Sequence, residues 1–142
     1  MALNVLVVDD SSVMRAMIIK TLRLSHLPLG EIYQASNGLE GLKVLQEHWI
    51  DLALVDINMP VMNGEEMIDR VRQNPETADL SIIVISTEGS ETRIEMLENK
   101  GAGFIHKPFT PETLRNAIIK ITGVSHEQQI EDGTFQGSGP DF

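Results

Sequence analysis

Short apolar runs alternate along the chain with stretches in which apolar residues recur every three or four positions. Leu3–Val8 is apolar apart from Asn4 and rich in valine, the pattern of a strand buried on both faces. Ser11 and Ser12 offer capping hydroxyls to a helix in which Met14, Met17, Ile18, Thr21 and Leu22 are expected to share a face, with Pro28 and Gly30 closing the segment. Glu31–Ala35 reads as a short strand, and Asn37 and Gly38 open a helix with Leu42, Leu45 and Trp49 on one side. Leu52–Val55 is a buried strand. The loop from Asp56 to Asn63 contains Pro60, and the helix after it carries Met67, Ile68 and Val71 and stops at Pro75. Ser81–Ile85 is the strongest strand signal in the chain. Ser90 caps a helix with Ile94 and Leu97, Gly101 and Gly103 end it, and Phe104–His106 is a short strand. Thr110-Pro111-Glu112 joins a capping hydroxyl, a proline at the first helical position and a first-turn acid. The helix it starts has Leu114, Ala117, Ile118 and Ile121 on its apolar face and Gly123 at its end.

Five strands alternating with five helices predict an α/β fold, a doubly wound parallel sheet with helices on both faces and right-handed crossovers. Residues 1–123 make one domain. Residues 124–142 are expected to be a flexible, glycine-rich acidic tail, with four acids and no lysine or arginine. The 142 residues hold 21 acids against 11 bases, a formal charge of −10, which argues against nonspecific binding to nucleic acid or to an anionic membrane. With no cysteine there is no disulfide framework, thiolate nucleophile or cysteine-zinc site. The start, MALNVLVVDD, lacks the basic region of a signal peptide, and no apolar run approaches the length needed to span a bilayer, so a cytoplasmic protein is expected.

In an open parallel sheet, sites form outside the carboxyl ends of the strands. Asp9-Asp10 follow the first strand, Asp56 the third, Ser86-Thr87 the fourth and Lys107-Pro108 the fifth. In the doubly wound order 2-1-3-4-5, Asp9, Asp10 and Ser86 would each sit about one strand spacing, ~4.8 Å, from Asp56, and Lys107 about two spacings away. Three carboxylates that close repel one another unless a cation intervenes. Oxygen-only ligands favour a hard ion, and few carboxylates beside a phosphate suit Mg²⁺. A lysine and a hydroxyl opposite the metal then suit a phosphoryl group, with the central Asp56 placed as nucleophile to give an acyl phosphate.

These residues resemble the receiver domain of two-component response regulators, in its stand-alone chemotaxis (CheY-type) form, a flavodoxin-like fold. The motifs are Val7-Val8-Asp9-Asp10-Ser11 with Met14-Arg15, Asp56-Ile57-Asn58-Met59-Pro60 with Met62-Asn63-Gly64, Ser86-Thr87-Glu88, and Lys107-Pro108-Phe109. They stand in family order and spacing over about Leu3–Thr122. The strand order used above is that of this family, of which CheY is a standard example, rather than a product of spacing. The resemblance implies that Asp56 is the phosphoacceptor, with a histidine kinase phosphohistidine as donor. It implies that Asp10, Asp56 and the Asn58 backbone carbonyl bind Mg²⁺ directly, Asp9 through a metal-bound water, and that Ser86 and Lys107 contact the phosphoryl group. The domain would catalyse its own phosphorylation and dephosphorylation, with Asn58 and Glu88 at the two positions that tune the latter and a short-lived phosphoryl group expected. Output would be by binding a downstream protein on the face of the fourth helix, fifth strand and fifth helix, since no helix-turn-helix follows. Phe104 stands where chemotaxis regulators often have tyrosine, so an aromatic switch with Ser86 remains but without a ring hydroxyl. Thr87 is larger than the residue often found there.

Elsewhere the simpler readings are preferred. Met14, Met17, Met67 and Met96 are expected to be core or near-core fillers, and Met59 and Met62 to lie beside the site in the loop, lining it or serving a purely structural role. His26, His48 and His126 are expected to be solvated, His106 to have no metal role, and Trp49 to cover a helix end or the sheet edge. Pro108 is expected to aim Lys107, with a cis Lys107–Pro108 bond as one form. Three other readings compete. A pseudo-receiver is opposed by intact Asp10, Asp56 and Lys107. An aspartyl phosphohydrolase would have an acid where Asn58 stands. A flavin site would need a hydroxyl- and glycine-rich loop where Asp9-Asp10 stand.

Overall fold

The computed structural model describes residues 2–124. Expectations that fall on residues 125–142, including the solvation of His126, lie outside them. The chain runs β1 (Leu3–Val8), α1 (Ser12–Leu24), β2 (Leu29–Ala35), α2 (Gly38–Glu47), β3 (Leu52–Val55), α3 (Gly64–Gln73), β4 (Ser81–Ser86), α4 (Glu91–Asn99), β5 (Ala102–His106) and α5 (Pro111–Thr122). All pairings are parallel and the sheet order is β2-β1-β3-β4-β5. The doubly wound order is therefore met, and β1 and β3, both fully apolar where they pair, form its centre.

Two apolar layers cover the sheet. Val5, Val7, Leu54, Ile83 and Ile85 face α1 and α5, with Ile18, Leu22, Leu114 and Ile118 as the helical side of that core. Leu6, Val8, Val55, Ile82 and Val84 face the other way, against Met67, Ile68, Val71 and Leu97 of α3 and α4. Alternation along a strand feeds both layers, which is why the strands read as unbroken apolar runs. Val124, just past the left-handed cap at Gly123 (φ 74°), is still buried in the α1/α5 layer. The Lys107–Pro108 peptide bond is cis.

Some expectations about single positions fail. Met17 is 53% exposed and Met96 47%, so neither is core. On α1 the buried stripe runs through Ile18 and Leu22 with Met14 beside it, a four-residue step that leaves Met17 on the outer face. Trp49 does not cover a helix end, because α2 stops at Glu47 and the extended His48 breaks the helical phase. Trp49 is 76% exposed while Ile50 takes the buried place. β2 and β5 start two residues earlier than the polar pattern suggests, at Leu29 and Ala102, since backbone pairing tolerates Gly30 and Gly103 inside a ladder.

Candidate functional site

The sheet ladder fixes the site before any side chain does. The Asp9 N–H donates to the Ala35 carbonyl at 3.1 Å, the Asp56 N–H to Val8 at 2.9 Å and the Lys107 N–H to Ser86 at 2.9 Å. Each residue that leaves a strand is thus still tied to the neighbouring strand, so three candidate site side chains start from rigid backbone at one edge. Past Asp56 the loop returns at once. The Gly64 N–H donates to Ile57 at 2.8 Å, and a Cβ on Gly64 would run into the Asp56 carbonyl oxygen. Only glycine lets α3 begin that close to the Asp56 backbone.

The carboxylates of Asp9, Asp10 and Asp56 each offer an oxygen within 4.8 Å of the others. Asp9 is 1% exposed. Its Oδ1 accepts the Ser11 N–H at 2.9 Å, while Oδ2 is buried with no hydrogen bond and only the Lys107 ammonium 3.5 Å away. Asp56 Oδ1 accepts its neighbour Ile57's N–H at 2.9 Å and lies 3.7 Å from the same ammonium. Lys107 therefore crosses the gap from β5 and serves two carboxylates at once. Burial pushes Asp56 above the ordinary carboxylate range, with Asp9 and Asp10 adding to the rise and Lys107 and the Ile57 amide opposing it. Asp10 is exposed at the rim.

Ser86 is 1% exposed, and its Oγ accepts the Glu88 N–H at 3.1 Å. Thr87 beside it is exposed. Asn58 is exposed in the β3–α3 loop. Phe104 is partly buried against the α3/α4 layer and meets His106 edge-on, ring centres 4.8 Å apart. Met62 is buried and Met59 packs against the same layer. His48 is exposed and stacks on Tyr33 at 4.2 Å. The structure thus brings together Asp9, Asp10, Asp56 and Lys107.

Two groups support the site: Arg15, which stands in the first motif but had no role there, and Arg93, which the sequence did not single out. The Arg15 Nη1 donates to the Asp9 carbonyl at 2.5 Å and its Nε to Gln34 at 3.0 Å, pinning the turn that carries the acids. Arg93 reaches Glu65 at 3.5 Å and Glu88 at 3.8 Å, tying the loop after β4 to the start of α3. The signal for Arg93 is its place three residues after the capping Ser90, where it faces the same sheet edge.

Three carboxylates and one lysine at the carboxyl edge of a 2-1-3-4-5 sheet agree with the comparison to known proteins, where the response regulator receiver domain model matches residues 5–119. The chain belongs to that family. Among curated receivers, it is 36% identical over 124 residues to a chemotaxis protein CheY homolog of Campylobacter jejuni, covering 85% of this chain and 93% of that one. It is 34% identical over 125 residues to the chemotaxis protein CheY1 of Helicobacter pylori, covering 87% and 99%. Among solved receivers, the Vibrio cholerae chemotaxis protein CheY4 superposes with a TM-score of 0.75 at 34% identity, covering 85% of this chain and 99% of that one. No helix among the described residues is long and apolar enough to cross a membrane.

Proposed function

We propose that this receiver accepts a phosphoryl group on Asp56 from a phosphohistidine of a histidine kinase and signals through altered binding of a protein partner. The observation that carries it is the Asp9–Asp10–Asp56 cluster with the Lys107 ammonium within 3.7 Å of Asp56. An Asp56 carboxylate oxygen attacks phosphorus, the phosphorus–nitrogen bond breaks, and the imidazole leaves with the bonding pair. Lys107 offsets charge on the phosphoryl oxygens. Ser86 is the hydroxyl that meets the same group once its Oγ turns from the Glu88 amide. Hydrolysis of the acyl phosphate, with Asn58 and Glu88 beside it, resets the domain and keeps the phosphoryl group short-lived.

The donor set fits Mg²⁺. It is all oxygen, and the buried Asp9 Oδ2 has no hydrogen bond of its own. Asp10, Asp56 and the Asn58 carbonyl would hold the ion, with Asp9 acting through water. The bound ion would supply charge neutralisation at the phosphoryl oxygens. The output surface is the face of α4, β5 and α5, with Phe104 coupling it to Ser86. Residues 1–123 form the receiver. The similarity to CheY proteins supports a chemotaxis-type pathway in the cytoplasm.

Phosphoryl labelling with acetyl phosphate and Mg²⁺ tests the assignment. Wild type should label and Asp56→Asn should not, and chelating the metal should abolish the reaction. Equal labelling of the two proteins would overturn it.

A further inference from the structure

At the opposite end of the sheet from Asp56 lies a groove of about 600 Å³ between the ends of α2 and α3. β3 separates the two ends, and four residues at ~3.3 Å each put them on the order of 13 Å apart. Leu45, Pro75 and Leu80 are apolar residues of the groove's lining. Trp49 stands at its side, 76% exposed. Its indole is not loose: Nε1 donates to Asp51 Oδ1 at 2.9 Å, and Asp51 Oδ2 in turn accepts the Asn4 N–H at 2.8 Å. A fixed aromatic ring with an open face is the kind of residue that anchors interfaces.

The charges on this groove have one sign. Among the described residues, Asp51, Glu76 and Asp79 line it and no lysine or arginine does. Arg72 lies near Asp79, but its N–H groups donate to the carbonyls of Ala78, Leu80, Lys100 and Gly101. Candidate occupants are narrowed by this. Residues 125–142 carry four acids and no lysine or arginine, so the chain's own C-terminal segment supplies no counter-charge. A second copy brings another acid-lined groove and a formal charge of −10. A cation on an apolar stem satisfies all three features: the ammonium or guanidinium meets the carboxylates and the Trp49 face, and the stem covers Leu45 and Leu80.

We propose that this groove docks an extended lysine- or arginine-bearing segment of a partner protein, and that it does so whether or not Asp56 is phosphorylated. It is separate from the phosphoacceptor edge and from the α4–β5–α5 face. A partner held there is kept near the switch while the other face reads its state.

Trp49 is the one tryptophan in the chain and reports on the test directly. The full-length protein is titrated with acetyl-Lys-Leu-Arg-Leu-Lys-amide, and with acetyl-Glu-Leu-Gln-Leu-Glu-amide as control. The basic peptide should change Trp49 emission saturably and the acidic one should not. A Glu76→Gln/Asp79→Asn double variant should bind the basic peptide about tenfold more weakly, and wild type labelled with acetyl phosphate and Mg²⁺ should bind it as the unlabelled protein does. Calorimetry on Trp49→Phe should show weaker binding, since phenylalanine is the poorer cation acceptor. No saturable change, an equal response to the acidic peptide, unaltered binding by the double variant or loss of binding in the labelled wild type would each overturn the proposal.

Discussion

Asp56 is asked to be an anion in a place that disfavours one. Its folded form holds a proton more tightly than the unfolded chain does, because burial outweighs the Lys107 ammonium. Below the ordinary carboxylate value both states are protonated and this group's contribution to stability is complete. As pH rises through the raised folded value that contribution is lost. Asp56→Asn should therefore have a higher urea midpoint than wild type at neutral pH in chelator, with the two converging as the solution is acidified below the ordinary carboxylate range. Lys107→Ala should act in the other sense, costing about 1–3 kcal/mol at neutral pH by leaving the buried Asp9 Oδ2 without its counter-charge, measurable in the same unfolding experiment. At this scale the site was legible because each group directly follows an apolar run, and a parallel sheet forces such positions to one edge. What was not legible is which group pairs with which. That Lys107 serves Asp9 as well as Asp56 depends on a side-chain path from β5 that no spacing encodes. Met17 and Trp49 failed for a related reason: an apolar residue at plausible spacing reads as core until the helix phase and its true end are known.

Elements in this fold are held by a few side chains that collect loose backbone groups. Arg72 on α3 donates to four carbonyls in the α3–β4 and α4–β5 loops, joining three segments. Arg72→Ala should destabilise by about 1–3 kcal/mol, read as a lower urea midpoint with labelling of Asp56 retained. Gly64 has a different duty. Its closeness to the Asp56 carbonyl means that Gly64→Ala must displace either α3 or the Asp56 backbone, so it should depress acetyl phosphate labelling far more than a substitution at the exposed Gly89, which has open space around it. Helix starts were readable because capping is local chemistry: Ser11, Asn37, Ser90 and Thr110 each accept an N–H three residues on. The starts of β2 and β5 were not, since their first residues pair through backbone that carries no side-chain signature.

For the molecule as a whole, the proposed ion and the fold support each other. A ligand that binds only the folded state at a hundred times its dissociation constant adds about 2.7 kcal/mol. Saturating Mg²⁺ should raise the melting temperature of wild type and do so much less for Asp56→Asn, which scanning calorimetry would show. The overall architecture was the most legible level, because five repeats of one pattern leave little topological choice. That repetition also aligns the helices: all five begin at the edge where Asp56 stands, so five macrodipoles present their positive ends there. Glu40, Glu65 and Glu66, Glu91 and Glu112 occupy the first turns of α2, α3, α4 and α5 and absorb much of that field. α1 has no acid in its first turn, and directly before it stand Asp9 and Asp10. The free dipole of α1 is thus directed at the acid pair itself, and the backbone adds its positive end to the Lys107 ammonium that stands beside Asp9.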